Sequence, residues 1–278
     1  MIDVLATGPL ATVQDLGRPG YAALGVPRSG AFDQAALRLA NRLVGNPETA
    51  AGVEITAGGF ALHCRRPVTI ALTGALCPGA PEWCAPVTLP AGARFRLGAP
   101  RRGVRTYLAV RGGVGVTPVL GSRSTDLLGG VGPAPLRAGD VLPVGPVDGS
   151  QPLPAGQPAP VRPAEPALLR VRWGPRDDWF AAGARRLLLA SAWTVRQDSD
   201  RIGLRLDGPA LPRIREGELP SEPILPGAIQ VPPDGRPILF GPDAPTTGGY
   251  PVVAVADDDG SRSAAAQAAP GDTVRFTE

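Results

Sequence analysis

Lysine is missing from this 278-residue chain, so apart from one histidine every basic side chain is an arginine. A phosphate-binding loop of the Walker type needs a lysine to reach the terminal phosphates of a nucleotide, and a Schiff-base enzyme needs a lysine amine. Neither kind of site can be built from these residues. We therefore expect no nucleotide-hydrolysing loop and no imine chemistry in this chain.

Histidine and cysteine are scarce. His63 is the single histidine and no G-x-S-x-G sequence occurs, so a Ser-His-Asp hydrolase would depend entirely on this residue. Apolar residues alternate over residues 60–64, which predicts a strand with His63 on its outer, solvated face. The spacing of Cys64, Cys77 and Cys84 matches no zinc pattern. We interpret them as reduced cysteines in the packing and predict no metal site.

Long hydrophobic runs and blocks of one charge are also absent. The 25 acidic residues are interleaved with the 28 arginines, and no basic run with aromatic residues suggests a nucleic-acid partner. No stretch approaches 18 uninterrupted apolar residues, and the N-terminus has an acid at position 3 and no signal-peptide core. The sequence therefore predicts a cytoplasmic protein that binds neither nucleic acid nor membrane.

Glycine and proline are abundant, with 37 and 34 residues, and they bound short segments of Val, Leu and Ile. This pattern is typical of a sheet protein with many turns, so we predict a mainly β fold. The length favours two modest domains. A Pro- and Ala-rich run at residues 146–166 predicts a linker between a first domain at 1–145 and a second at 167–278.

Two segments have helical periodicity. Residues 33–44 begin at Asp33, a predicted cap, and end before a Gly-Asn-Pro sequence, while Ser29 is a second candidate for the helix start. Residues 177–190 open with two acids. Further segments have the composition of strands: 53–55, 68–72, 105–110, 168–173, 228–231, 238–240, 252–255 and 273–276.

Seven motifs follow one another along the chain: TVQDLGRPG at 12–20, GVPRSGAFD at 25–33, LANRLVGN at 39–46, YLAVRGG at 107–113, GSRSTD at 121–126, PGAIQVPP at 226–233 and TTGGYP at 246–251. Together they resemble the A and B subdomains of biotin-dependent carboxyltransferases over nearly the whole chain. The resemblance implies two cyclophilin-like β-barrel domains with a few short helices. The sequence departs from the family where proline follows Glu222 and where residues 257–263 are unusually polar. The second departure predicts loose packing of this last segment.

The resemblance also implies a function. It is that of one subunit of a biotin-dependent carboxyltransferase of the 5-oxoprolinase type, which takes part in the ATP-dependent conversion of 5-oxoproline to glutamate. The implied partners are a carboxyltransferase protein with subdomains C and D, which corresponds to the B subunit of 5-oxoprolinase, a biotin carboxylase and biotin carrier component, and a small lactam or amide substrate. Because biotin is attached to a lysine, carboxybiotin must arrive on a partner, and a partner must use the ATP.

Three alternatives stay open at this point. The chain could serve urea carboxylation in the allophanate pathway. It could be a non-catalytic antagonist that binds the partner subunit, where that partner inhibits a kinase. It could also be a free-standing ligand-binding module of the same fold. Because the same partner contact serves the enzyme and the antagonist, the sequence does not decide between them.

The chemistry of carboxyl transfer indicates the candidate catalytic residues. A developing oxyanion needs preorganised donors, and a guanidinium binds a carboxylate with two hydrogen bonds. Arg18 and Arg123 are the predicted catalytic arginines because tight polar turns present them; the alternative is that each binds loop carbonyls. Asp126 is the third predicted catalytic residue, as a base or as an orienting group. Asp15 and Ser122 are predicted to bind substrate. For both Asp15 and Asp126 the alternative is that the carboxylate caps its own backbone turn.

The remaining predicted substrate-binding residues have polar side chains beside Gly- or Pro-rich turns: Glu222, Gln230, Thr246, Thr247 and Tyr250. Glu222 and Gln230 flank a Pro-rich turn and are predicted to bind the substrate amide; a plain surface loop is the alternative. The other three surround two glycines, which permit close approach by a ligand or by another backbone segment. The hypothesis is that these loops converge on one anion-binding hollow, which a partner protein completes.

Overall fold

A computed structural model describes residues 1–147 and 166–278, so the predicted linker at 146–166 lies outside the described residues except at its ends. Contacts between Cα atoms group the chain into two compact units. Unit 1 consists of Met1–Arg18, Ser29–Asp126 and residues 130–147. Unit 2 consists of Pro19–Arg28, Leu127–Gly129 and residues 166–278. Two short segments of the N-terminal half thus group with unit 2.

Unit 1 contains two antiparallel sheets. Its strands are β1 (Ile2–Thr7), β2 (Leu10–Gln14), β3 (Gly52–Thr56), β4 (Phe60–Cys64), β5 (Val68–Gly74), β6 (Val87–Leu89), β7 (Arg94–Arg96), β8 (Arg105–Val110) and β9 (Val141–Leu142). One sheet has the order β7-β4-β1-β9 and the other β2-β3-β8-β5-β6. Because side chains alternate across a strand, every second residue of each sheet enters a shared apolar core. This core includes Val4, Phe60, Leu62, Ile70 and Leu108.

Two of the passages of the chain from one sheet to the other are made at glycine corners. Gly8, between β1 and β2, has a φ of 65°, and a Cβ built on it would lie only 1.8 Å from the Gly58 carbonyl oxygen. Gly59, between β3 and β4, has a φ of 78°, and its Cβ would lie 2.8 Å from the Gly8 Cα. The corners therefore pack backbone against backbone, which only glycine permits.

The helix predicted at 33–44 is confirmed as α1 (Gln34–Leu43). The Asp33 carboxylate caps it by accepting the Ala36 N–H at 3.0 Å. The predicted role of Ser29 at the helix start is wrong, because this residue is buried, has a φ of 53° and lies four positions before the cap. Asp33 alone provides the side-chain cap of this helix.

Helix α1 covers the outer face of β5 and β8. Leu39, Ala40 and Leu43 form an apolar cluster with Ala71 and Ala109, which are opposite each other in the two strands. Small residues at those strand positions let the helix approach the sheet closely, while the neighbouring large residues point to the other side. Burial of each leucine stabilises this layer by about 1.5–3 kcal/mol.

Unit 2 contains one eight-stranded sheet and one short ribbon. Its strands are β10 (Ala167–Arg170), β11 (Arg172–Trp173), β12 (Trp193–Val195), β13 (Gly203–Asp207), β14 (Glu222–Pro223), β15 (Ala228–Gln230), β16 (Ile238–Phe240), β17 (Thr247–Gly248), β18 (Val252–Val255) and β19 (Thr273–Thr277). The sheet order is β10-β19-β12-β13-β16-β15-β18-β11, and β14 pairs with β17.

The sheet of unit 2 almost closes into a barrel. Its two edge strands, β10 and β11, are consecutive parts of one segment joined by the buried Val171. The first part pairs in parallel with β19 and the second pairs antiparallel with β18. Joining the two edges of a sheet in this way leaves few unpaired backbone groups. The predicted mainly β fold with a few short helices is confirmed.

Two local predictions for unit 2 are wrong. Residues 177–190 form no continuous helix: a 3-10 turn (Asp177–Trp179) is followed by the extended Phe180, which bridges to Arg213, and only then by α2 (Ala184–Ala190). Burial of the Phe180 ring and this pairing outweigh the local helical periodicity. Residues 257–263, predicted to pack loosely, contain the start of α3 (Asp259–Gln267).

Helix α3 is well anchored despite its polar sequence. The Asp258 carboxylate accepts the Ser261 N–H at 2.9 Å and the Ser261 hydroxyl at 2.6 Å, so it caps the first turn. Ser261, Ala265 and Ala266 are buried. The polar residues at the start of α3 thus cap the helix, and its buried alanines follow one turn later.

His63 lies on the outer face of β4, as predicted, with its Nδ1 2.9 Å from the Asp3 carboxylate. Arg65 also binds Asp3, and the guanidinium and then the imidazole lower the pKa of that carboxyl. The three cysteines are free thiols in the packing; burial raises the pKa of Cys84 to about 11. In residues 1–147 and 166–278, no helix has the length and apolar character of a membrane span.

The glycine corners of unit 1 give a test of its fold. We expect Gly8→Ala to lower the free energy of unfolding by about 2–5 kcal/mol, because it combines a left-handed φ with a steric conflict. Gly92→Ala is the matched control, since Gly92 has a φ of 84° but open space around its Cβ position. This control should cost only about 1–2 kcal/mol. Equal losses in urea titrations of the two variants would contradict the corner packing.

Candidate functional site

The predicted residues of unit 1 gather where β2 ends. Residues 121–126, here called the GSRSTD loop, run beside that strand. The Thr125 N–H donates to the Val13 carbonyl oxygen at 2.9 Å, and the Gln14 side chain donates to the Thr125 carbonyl oxygen at 3.0 Å. These two bonds join the end of β2 to the GSRSTD loop. Asp15, the residue after β2, therefore lies against the loop.

The Asp15 carboxylate is the centre of this arrangement. Its Oδ1 accepts the hydroxyls of Ser122 and Ser124, each at 2.6 Å, and the Gly17 N–H at 2.8 Å. Its Oδ2 accepts the backbone N–H of Arg123 at 2.6 Å. The carboxylate is buried, and hydrogen bonds to an ionised acceptor are short and strong. Asp15 therefore holds both its own turn and the GSRSTD loop. Its bond to the Gly17 N–H is the backbone cap that was considered as the alternative to substrate binding.

Arg123 is presented by a backbone that Asp15 holds. Its side chain is half-buried, and its Nε donates to the Val116 carbonyl oxygen at 2.7 Å. This bond orients the guanidinium plane and leaves the terminal amino groups as the part of the side chain that can bind an anion. Arg123 thus makes one contact of the kind that was the alternative to catalysis, a bond to a loop carbonyl. Its predicted catalytic role stays a prediction.

Arg18 and Asp126 lie deeper than Arg123. Arg18 is only 1% exposed, and its Nη2 donates to the Ser124 carbonyl oxygen. Gly132 packs directly against this guanidinium, since a Cβ at position 132 would lie only 2.9 Å from the Arg18 Nη2. Asp126 is also buried, and its N–H donates to the Val131 carbonyl oxygen at 3.0 Å. Arg18 thus binds the GSRSTD loop from the buried side, and Asp126 joins the end of the loop to Val131. Their predicted catalytic roles stay predictions.

The predicted residues of unit 2 lie around the β14–β17 ribbon. Glu222 is the Cα partner of Gly248, and Pro223 is the partner of Thr247. The Thr246 carbonyl oxygen accepts the N–H of Ile224 at 2.9 Å, which prolongs the ribbon. Thr247 is exposed, whereas the Glu222 side chain is partly covered. Residues 222–224 and 246–248 thus form one short, paired segment.

Gln230 joins this ribbon from the barrel. It is a buried residue at the end of β15, and its Nε2 donates to the Tyr250 carbonyl oxygen at 2.9 Å. A Cβ on Gly248 would lie 3.0 Å from this Nε2. Because Gly248 has no side chain, the ribbon can approach the Gln230 amide closely. Glu222, which pairs with Gly248, and the Tyr250 carbonyl oxygen therefore both lie near Gln230.

Two of the ion pairs of unit 2, none of which was predicted, involve bidentate arginines. Arg176 binds both oxygens of Glu222, and this guanidinium lowers the pKa of the carboxyl. Arg201 binds the fully buried Asp243 through Nε at 2.9 Å and Nη2 at 3.1 Å. Residues 198–201 repeat the Asp-x-x-Arg spacing of residues 15–18, which could have pointed to Arg201. No sequence signal pointed to Arg176.

Comparison with known proteins gives consistent results. The family model of the carboxyltransferase domain, subdomain A and B, matches residues 24–278. The C subunit of 5-oxoprolinase from Escherichia coli (strain K12) is 38% identical over 91% of this chain and 84% of its own length. The C subunit from Haemophilus influenzae is 35% identical over 99% of this chain and 90% of its own length.

Solved structures and longer proteins match as well. The protein TTHA0988 superposes with a TM-score of 0.87 at 37% identity; this chain is covered completely and spans 56% of that one. The Kluyveromyces lactis urea carboxylase superposes with a TM-score of 0.88 at 30% identity, and 99% of this chain covers 27% of it. The urea amidolyase of Lachancea kluyveri is 33% identical over 99% of this chain, which corresponds to 17% of its length. The chain therefore matches most of a whole subunit in one group and a fraction of a longer chain in the other.

The bonds at Asp15 predict a large effect of a nearly isosteric change. We expect Asp15→Asn to lower the free energy of unfolding by about 2–4 kcal/mol, because an amide offers one acceptor oxygen where four donors need two. Urea titration measures the loss. Asp140→Asn is the matched control, since the Asp140 carboxylate accepts a single turn N–H, from Arg137, at the surface. If Asp15→Asn is no less stable than this control, Asp15 does not hold the loop.

Proposed function

Since the chain belongs to the carboxyltransferase family of subdomains A and B, we propose that it is the A/B subunit of a biotin-dependent 5-oxoprolinase. In this role it takes part in the ATP-dependent conversion of 5-oxoproline to glutamate. The observation that carries the proposal is the match to the C subunits of two 5-oxoprolinases over most of both chains. The urea enzymes match equally well in fold but extend far beyond this chain.

The absence of lysine supports the proposal that partner subunits perform the steps that need a lysine. Biotin needs a lysine for covalent attachment, and a Walker-type phosphate loop needs one as well. In this proposal a partner, the biotin carboxylase and biotin carrier component, carries the biotin and uses the ATP, and a second partner contributes subdomains C and D. This chain contributes polar side chains to the acceptor reaction.

The donors and acceptors present fit carboxybiotin and a lactam. When bound, carboxybiotin supplies the carboxyl group that is transferred. The terminal amino groups of Arg123 would hold a carboxylate or a developing oxyanion, as a guanidinium does with two parallel hydrogen bonds. Arg18 and Asp15 keep the GSRSTD loop that carries Arg123 in place.

The second group of side chains fits the acceptor amide. The Glu222 carboxylate can accept a hydrogen bond from the amide N–H, and an ionised acceptor makes that bond stronger than a neutral one would. The Gln230 side chain is oriented by its bond to Tyr250, which directs its remaining oxygen and second N–H. Thr246 and Thr247 add hydroxyls at the edge of the ribbon. Asp126 stays the proposed orienting group or base on the first loop.

Urea carboxylation is the second candidate because the urea carboxylase of Kluyveromyces lactis has the same fold over 99% of this chain. Urea and 5-oxoproline both offer an amide nitrogen as the acceptor, but only 5-oxoproline also has a carboxylate. Substrate dependence of ATP turnover therefore separates the two. An antagonist that only binds its partner would support neither reaction.

We expect the purified complex of this chain with its C/D partner and biotin component to hydrolyse ATP in response to 5-oxoproline and not to urea. Arg123→Ala should lower kcat by about 10²–10³-fold, the usual effect of removing one donor to an oxyanion. Arg137→Ala, an exposed arginine of unit 1, is the matched control and should keep full activity.

Each contrary outcome has its own meaning. Turnover with urea alone assigns the chain to urea carboxylation. A stable complex without turnover of either substrate contradicts the enzymatic proposal and supports the antagonist. Full activity of Arg123→Ala in an active complex removes Arg123 from the reaction.

A further inference from the structure

Glu222, proposed above to bind the acceptor amide, is held by a guanidinium from another element. The Arg176 Nε lies 2.9 Å from Oε1 and 3.0 Å from Oε2 of Glu222, and its Nη2 also donates to Oε1. Because both carboxylate oxygens bind the same planar group, the carboxylate cannot rotate freely about its last bond. Its direction is thus set by Arg176.

The backbone of Arg176 is itself fixed to the barrel. The Gly174 N–H donates to the Val253 carbonyl oxygen at 2.8 Å, and the Arg176 N–H donates to that of Val252 at 3.2 Å. A Cβ on Gly174 would lie 2.4 Å from the Val252 oxygen, so the glycine is needed for this approach. The guanidinium therefore extends from a segment attached to strand β18 and not from a mobile loop tip.

The exposure of the pair indicates a role other than stability. The side chains of Arg176 and Glu222 are 36% and 28% exposed, whereas those of Arg201 and Asp243 are 1% and 0% exposed. A partly exposed ion pair stabilises a fold by only about 0–1 kcal/mol. Oε1 accepts two of the bonds from Arg176 and Oε2 only one, so Oε2 has a further lone pair that an outside donor can reach.

We propose that Arg176 is a positioning residue, which holds the ionised Glu222 carboxylate in the direction in which it accepts the N–H of the acceptor amide. This inference rests on the proposed function. Glu222 lies opposite Gly248, and Gly248 packs against the Gln230 amide, so a small amide bound at the ribbon meets an acceptor and a donor with fixed directions. Arg176 acts through Glu222 and need not touch the substrate.

The charges around the pair determine how activity should depend on pH. Arg176 lowers the pKa of Glu222. The charged groups that face the pair also include Asp178, whose charge is paired with Arg215 at 2.9 Å, and Glu218 beside Gly249. Without the guanidinium the pKa of Glu222 must rise. Activity that needs the carboxylate is lost as pH falls through this pKa, so its acidic limit must move to higher pH.

The experiment measures kcat/KM for 5-oxoproline against pH in the complete complex, with wild type, Arg176→Gln, Arg176→Lys, Glu222→Gln and the double variant Arg176→Gln/Glu222→Gln. Arg172→Gln is the matched control, because Arg172 forms an exposed ion pair with Asp257 at 2.9 Å in the same unit. We expect Arg176→Gln to lower kcat/KM by about 10–100-fold and to shift the acidic limb upward. Lysine should restore part of the activity and most of the shift, since it returns the charge but not the side-on geometry.

The double variant separates positioning from other effects. If Arg176 acts through Glu222, its removal should cause no further loss once Glu222→Gln has been made. Full additivity, or an Arg176→Gln profile equal to that of Arg172→Gln, would overturn the positioning role and leave the proposed function intact. An inactive wild-type complex would contradict both. Urea titration of Arg176→Gln should show stability within about 1 kcal/mol of wild type, and a larger loss would assign the pair a structural role.

Discussion

The first unit depends on one buried carboxylate. Asp15 follows directly after a core strand and binds the two serine hydroxyls and the Arg123 N–H of a loop more than a hundred residues later in the chain. A buried carboxylate is costly unless donors surround it, so the serines and backbone amides are as necessary as the charge. The same bonds that make Asp15 stable in the interior fix the direction of Arg123.

The second unit uses carboxylates with arginines in two ways. The Arg201–Asp243 pair is fully buried, and removing one partner of such a pair typically costs about 3–5 kcal/mol because the other charge remains. The Arg176–Glu222 pair has similar geometry at the protein surface, where it stabilises little. The Arg201–Asp243 pair therefore stabilises the barrel. In the function that we propose, the Arg176–Glu222 pair instead orients a substrate-binding carboxylate.

Sequence reasoning predicted what local physics determines. The capped helix after Asp33 and the central strands were predicted because caps, periodicity and β-branched runs act over few residues. The region around 177–190 was mispredicted because Phe180 pairs with Arg213, a contact that no local pattern encodes. The loop arginines were proposed from turn chemistry and from a family resemblance, and their catalytic roles stay predictions. Arg176 was not predicted, because the carboxylate that it binds, Glu222, lies 46 residues away in the sequence.

Backbone hydrogen exchange of the wild-type chain tests most directly whether Asp15 organises the candidate site. If the carboxylate holds the GSRSTD loop, the amides of Gly17 and Arg123 exchange as slowly as those of strand β8, with an opening free energy close to that of global unfolding. Exchange of these two amides at the rate of an unstructured peptide, while β8 stays protected, would contradict the account.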